Sequence, residues 1–115
     1  RRSSDLQIEG AVLQGMGYAM MEEVVIEDGY TKTPSFSKYL IPTAMDAPEI
    51  TTYIVESEEP NGPFGAKGVG EGAIILTAPA IANAVYNAIG VRFTSIPITP
   101  EKVLAALEEK KAAAK

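Results

Sequence analysis

The chain has 115 residues, of which 46% are apolar, a size that fits one domain able to bury a core. Its formal net charge is −5, and the ten basic residues are scattered apart from Arg1-Arg2 and Lys110-Lys111, so no basic stripe suited to nucleic acid forms. Cysteine and histidine are both absent, which excludes disulfides, iron–sulfur ligation, the usual structural zinc sites and Ser-His or Cys-His nucleophile pairs.

Residues 5 to 22 read as a helix, because Ile8, Val12, Met16 and Ala19 repeat at three-to-four spacing with Leu13 and Met20 alongside. Asp5 is placed to cap it. On another edge Gln7, Gly10, Gln14 and Gly17 share one face, two amides with two glycines. An interior glycine costs about 1 kcal/mol against alanine, so this edge suits a helix lying close against a neighbour. Spacing alone favours ordinary helix packing there.

Val24-Val25-Ile26, Asp28-Gly29 and Tyr30-Thr31-Lys32-Thr33 form a hairpin signal. From Pro34 to Pro48 three prolines and no sustained period predict an ordered connecting loop. Ile50 to Glu56 alternates and is β-branched, the clearest predicted strand. A second helix is expected over 78 to 89, with Thr77 as cap, Pro79 in the first turn and Gly90 at its end. Val91 to Ile98 reads as a strand interrupted by Pro97, and Thr99-Pro100-Glu101 starts a last helix. The alanine- and lysine-rich stretch 108–115 is expected to fray. No apolar run is read as reaching the roughly 18 residues of a membrane span. Arg1-Arg2-Ser3-Ser4 leads into no signal-peptide core, and a cytoplasmic location is expected. The expected fold is α+β, a single domain over 1–115 with amphipathic helices packed on a small, mainly antiparallel sheet.

The stretch Gly62-Pro63-Phe64-Gly65-Ala66-Lys67-Gly68-Val69-Gly70-Glu71-Gly72 holds five glycines and a carboxylate. Glycines at that density let a backbone come close to another group, at an entropic cost in the unfolded chain. Phosphate binding fits poorly, since neither the Walker nor the dinucleotide spacing is met. Glu71, beside apolar Ala73-Ile74-Ile75-Leu76, could be desolvated enough to act as a general base. The commonest role for such a residue is a solvated turn glutamate favouring a helix dipole, which the residues alone favour, though spacing does not settle it. No Asp/Glu cluster has EF-hand spacing, and no metal ligand is assigned.

Two blocks together resemble a known family. Gln7-Ile8-Glu9-Gly10-Ala11-Val12-Leu13-Gln14-Gly15-Met16-Gly17 is similar to the Gln-x-Glu-Gly-x-x-x-Gln-Gly-x-Gly segment of molybdenum hydroxylases, the xanthine dehydrogenase and aldehyde oxidoreductase family. Lys67-Gly68-Val69-Gly70-Glu71 resembles that family's Lys-x-x-Gly-Glu block, in the right order and at a fitting separation. The likeness runs from about Asp5 to Leu107, through Pro34–Thr43, Asp46-Ala47-Pro48, the Thr77–Ile89 helix and Pro97–Glu101.

The resemblance implies the C-terminal part of a molybdopterin-binding large subunit that hydroxylates an aldehyde or heteroaromatic carbon with water as the oxygen source. The glutamate matching Glu71 takes a proton from the water-derived hydroxyl whose oxygen attacks the substrate carbon. The glutamine matching Gln7 hydrogen-bonds the molybdopterin, while Gly68, Val69 and Gly70 shape the approach to it. Lys67 is expected to brace the loop, since a solvated lysine stays protonated at neutral pH; Gln14 is a structural candidate. Gly72 follows Glu71 where many relatives carry proline, which leaves the backbone there less constrained. The implied partners are the remainder of the large subunit and iron–sulfur and FAD subunits, without nucleic acid or membrane. A chain this small is expected to hold no cofactor and to be inactive alone. The alternative is a non-catalytic interaction module that keeps the fold.

Overall fold

A computed structural model gives the structure of residues 2–114. The first element is α1 (Arg2–Met20). It leads into a hairpin of β1 (Ile26–Glu27) and β2 (Tyr30–Thr31), with Ile26 opposite Thr31 and Glu27 opposite Tyr30. Asp28 and Gly29 take φ values of 51° and 79°, the pair of left-handed residues that a type I′ turn requires. A long irregular stretch follows, broken by 3-10 turns at Pro63–Gly65 and Glu71–Ala73. The chain closes with α2 (Thr77–Ile89) and α3 (Pro100–Ala113), so the α+β class stands.

The tightest junction lies between α1 and α2, and it is made of small residues. Ala11 and Gly15 on α1 and Ala78 on α2 are buried, as are Gly17 and Ala19 further along α1. A Cβ on Gly15 would stand 2.5 Å from the Cβ of Thr77. That contact lets the two helices meet and offsets the helix-propensity cost of the glycine. The Tyr18 hydroxyl donates to the Ile74 carbonyl at 3.3 Å, and the Ile98 amide donates to the Ala19 carbonyl at 2.7 Å. The proline loop is tied back by the Tyr39 hydroxyl, which donates to Glu22 Oε2 at 2.6 Å. That bond to a carboxylate raises the phenol's pKa above its ordinary value.

Helix ends follow local chemistry. Gly90 takes φ 68° and its amide donates to the Tyr86 carbonyl at 2.7 Å, while Lys110 Nζ donates to the Ile89 carbonyl at 2.6 Å. Thr99 Oγ1 accepts from the Lys102 amide at the start of α3. The Glu101 carboxyl is held below its usual range, first by its own backbone N–H and then by the Thr99 hydroxyl.

Several expectations are corrected. Thr77 is not a cap: Leu76 occupies that position without a side-chain cap, and the Thr77 hydroxyl donates to Ala73 O because the preceding turn already delivers the chain into the helix. Residues 50–56 form no strand; strands need a neighbour, and Thr52 bonds instead to Asp5 Oδ1 at 3.0 Å. Residues 91–98 form none either, since Pro97 has no N–H and the Ile98 amide is spent on the end of α1. The hairpin is not a platform for the helices, as all four strand residues are exposed. The tail is helical through Ala113.

The 19 residues Glu71–Ile89 are long and apolar enough for a membrane span, contrary to the sequence reading. Only 13 of them form the α-helix, about 20 Å against a hydrocarbon core of about 30 Å. The radius of gyration is 18.3 Å, whereas a compact chain of this length has about 13 Å. Its accessible area is 8966 Å², about half as much again as the scaling for 12.2 kDa gives. Leu76, Ile75, Tyr53, Val55 and Phe64 are among the large apolar side chains left exposed. Exposed apolar surface of this extent marks a surface for contact with a partner or ligand.

Candidate functional site

Glu71 opens the 3-10 turn Glu71–Ala73, whose first bond runs from the Ile74 amide to the Glu71 carbonyl at 3.0 Å. The turn lies against α1, held by the Tyr18–Ile74 bond. Both Glu71 and Gly72 are exposed. The apolar residues expected to desolvate the carboxylate do not do so here: Ile75 and Leu76 are 66% and 73% exposed. Any shielding of Glu71 therefore has to come from outside this chain.

Gly68, Val69 and Gly70 are exposed as well, and a Cβ at Gly68, Gly70 or Gly72 would meet nothing within 4 Å. Their small size answers no crowding within the chain. The amide–glycine face of α1 divides in two. Gln7, Gly10 and Gln14 are exposed, with open space over Gly10, whereas Gly17 is covered by Pro42 Cδ and the Glu22 carboxylate. Ordinary packing explains Gly17; nothing in the chain occupies the other half.

Two grooves flank that half of α1. One of about 650 Å³ lies between Ser4 and Ile8 on the helix, the extended wall Tyr53–Ser57, and Lys67, Gly68 and Val69. The other, of about 450 Å³, sets Leu6, Gly10 and Leu13 against Ala44, Ala47 and Pro48. By helical angle Gln7 and Gln14 stand on the ridge between the grooves, neither lining either one. Gln7 and the Gly15–Thr77 junction are separated by about 12 Å of helix axis. The fold thus brings Gly68 and Val69 beside the N-terminal turns of α1, and sets Glu71 in a turn against the same helix.

Exposed amide side chains beside uncrowded glycines suit a planar, hydrogen-bonding cofactor lying on the backbone. A cofactor site buries most of its ligand, and these open faces cover only one side of such a group. Among the described residues, no group of three or more acidic side chains converges as a metal site. The sequence reading missed the extended wall at 53–57: its alternating pattern marked it, but as a paired strand.

Residues 2–48 match the family model of a molybdopterin cofactor-binding domain. The chain is 45% identical over 101 residues to the 6-hydroxypseudooxynicotine dehydrogenase complex subunit gamma of Paenarthrobacter nicotinovorans, covering 84% of this chain. It is 41% identical over 101 residues to the aldehyde oxidoreductase molybdenum-binding subunit of Escherichia coli, covering 85% of this chain. The chain belongs to the molybdenum hydroxylase family. Its fold agrees with the crystal structure of quinoline 2-oxidoreductase from Pseudomonas putida 86, at a TM-score of 0.84 and 36% identity over 91% of this chain and 14% of that one. The chain spans about 13% of the length of the Paenarthrobacter relative and 14% of the Escherichia one.

Proposed function

We propose that this chain is the C-terminal portion of the molybdopterin-binding subunit of a cytoplasmic molybdenum hydroxylase, an oxidoreductase, and that Glu71 is its general base. The observation that carries the reading is that two places around the N-terminal half of α1 are both left open, the Gln7–Gly10–Gln14 face and the Gly68–Glu71 segment. Neither is used by the chain's own packing, and both carry residue types that a polar, planar group requires. When bound, the molybdenum cofactor supplies the two-electron redox chemistry of hydroxylating an aldehyde or heteroaromatic carbon with water as the oxygen source.

The chain's own residues do the remaining work. The Gln7 side-chain amide hydrogen-bonds the cofactor's polar edge, and the open backbone at Gly68, Val69 and Gly70 admits its close approach. Glu71 accepts a proton at a carboxylate oxygen as the water-derived oxygen attacks the substrate carbon. The rest of the large subunit covers Ile75 and Leu76 and closes the site, drying the carboxylate and strengthening it as a base. Iron–sulfur and FAD subunits complete the electron path, so the chain alone is inactive. In the assembled enzyme Glu71→Gln is expected to lower kcat by about 10²- to 10⁴-fold with molybdenum content unchanged. Turnover near wild type would end the assignment of Glu71 as base.

A further inference from the structure

The Glu71 segment is suspended between two fixed points. On its C-terminal side the Tyr18 hydroxyl holds the Ile74 carbonyl at 3.3 Å. On its N-terminal side Lys67 Nζ donates to Ser57 Oγ. Between Ser57 and Lys67 the chain makes a closed loop of the Ω type, its ends brought together and its interior bonded to itself. The Glu59 amide donates to the Gly65 carbonyl at 3.1 Å, the Gly62 amide to the Glu59 carbonyl at 3.0 Å, and the Ala66 amide to the Pro63 carbonyl at 3.0 Å. Upstream, Thr52 Oγ1 donates to Asp5 Oδ1 at 3.0 Å, which ties the same strap to the first turn of α1. A continuous series of bonds and covalent chain therefore runs from α1 through Thr52 and Ser57 to Lys67.

Beyond Lys67 the glycines at 68 and 70 touch nothing that a Cβ would meet within 4 Å. The Ser57–Lys67 neck thus lies where this segment leaves the strap. We propose that Ser57 and Lys67 are positioning residues, the neck of a loop that sets the reach and direction of the Gly68–Glu71 segment across the N-terminal half of α1. This rests on the reading of Glu71 as the base. Lys67 acts as a hydrogen-bond donor and carries no proton transfer. The loop also presents Phe64, fully exposed and at φ 55°.

The test uses the assembled enzyme with Ser57→Ala, Lys67→Met and Lys67→Arg, read by amide hydrogen exchange and by steady-state kinetics. Ser57→Ala and Lys67→Met are expected to speed exchange at Glu59 and Ala66 roughly two- to fivefold, the scale of an exposed charged contact. Exchange in Thr77–Ile89 should not change, and Lys67→Arg, which keeps a donor, should restore the wild-type rate. In the same variants kcat should fall about ten- to hundredfold with KM and molybdenum content unchanged, as misplacement of a reacting group predicts. Unchanged exchange would remove the neck from the account. Faster exchange with an unchanged kcat would leave the neck structural and overturn its positioning role. Failure of the Glu71→Gln experiment would be recognised separately, because it leaves the exchange result untouched.

Discussion

The C-terminal half of α1 and the Gly68–Gly72 segment are both rich in glycine, and they use it in opposite ways. On the helix, Gly15 and Gly17 sit under Thr77 and Pro42, so each missing side chain is explained by an atom of the same chain. In the loop, Gly68, Gly70 and Gly72 stand in open space. A fold gains nothing in its own stability from glycines that touch nothing, since each raises the entropy of the unfolded chain. The contrast separates residues kept for folding from residues available to something that arrives later. It also separates the two halves of one helix face, because Gly10 belongs with the open set and Gly17 with the closed one.

The sharpest way to break this comparison is to fill both kinds of glycine. Gly15→Leu should destabilise the chain by about 1–3 kcal/mol or more through overpacking against Thr77, seen as a lower midpoint in thermal or urea unfolding. Gly10→Ala should instead raise stability by up to about 1 kcal/mol, as an uncrowded helix interior gains propensity. In the assembled enzyme the same Gly10→Ala change is expected to lower molybdenum content, since it narrows the approach to the backbone; full content would move Gly10 out of the site. Thr99→Ala should cost about 1 kcal/mol by removing the cap on α3, visible as a smaller helical signal at the C-terminal end.

The smallest effect concerns pH. The Asp46 carboxyl is held below its ordinary value of 3.8 by the Thr43 backbone N–H and then by the Thr43 hydroxyl. A depressed folded-state pKa gives stability that is complete above the unfolded value and is lost as pH falls through the folded one. The Thr43–Asp46 turn should therefore loosen only below about pH 4. An acid titration of the Thr43 amide resonance checks this, and Asp46→Asn should abolish the transition.

Features set by neighbouring residues were legible in the sequence. Asp28-Gly29 specified the hairpin turn, Gly90 ended α2 and Thr99-Pro100-Glu101 began α3. Features that depend on a distant partner were not. The 50–56 segment has a strand's pattern, but pairing needs a neighbour that these residues do not supply, and 91–98 spends its amide on α1. For the site, the resemblance of two ordered blocks to the family pointed to Gln7 and to the Gly68–Glu71 segment, which residue spacing alone did not single out. The groove wall at Tyr53–Ser57 and the Ser57–Lys67 neck stayed hidden, because no local rule joins residues ten apart across a loop. Desolvation of Glu71, one of the readings left open, is not provided by the chain itself for a related reason: Ile75 and Leu76 are next to it in sequence yet stay exposed.

The most direct test of the central claim, that this chain is one wall of a larger molybdenum site, is the composition of what it forms in its own cells. A tag on the chain, purification, and measurement of both polypeptide mass and molybdenum would decide it. The account predicts a large-subunit-sized body, in one or several polypeptides, with about one molybdenum per copy of Glu71. A folded, metal-free monomer of this chain alone, with a radius of gyration near the compact value of about 13 Å, would contradict it.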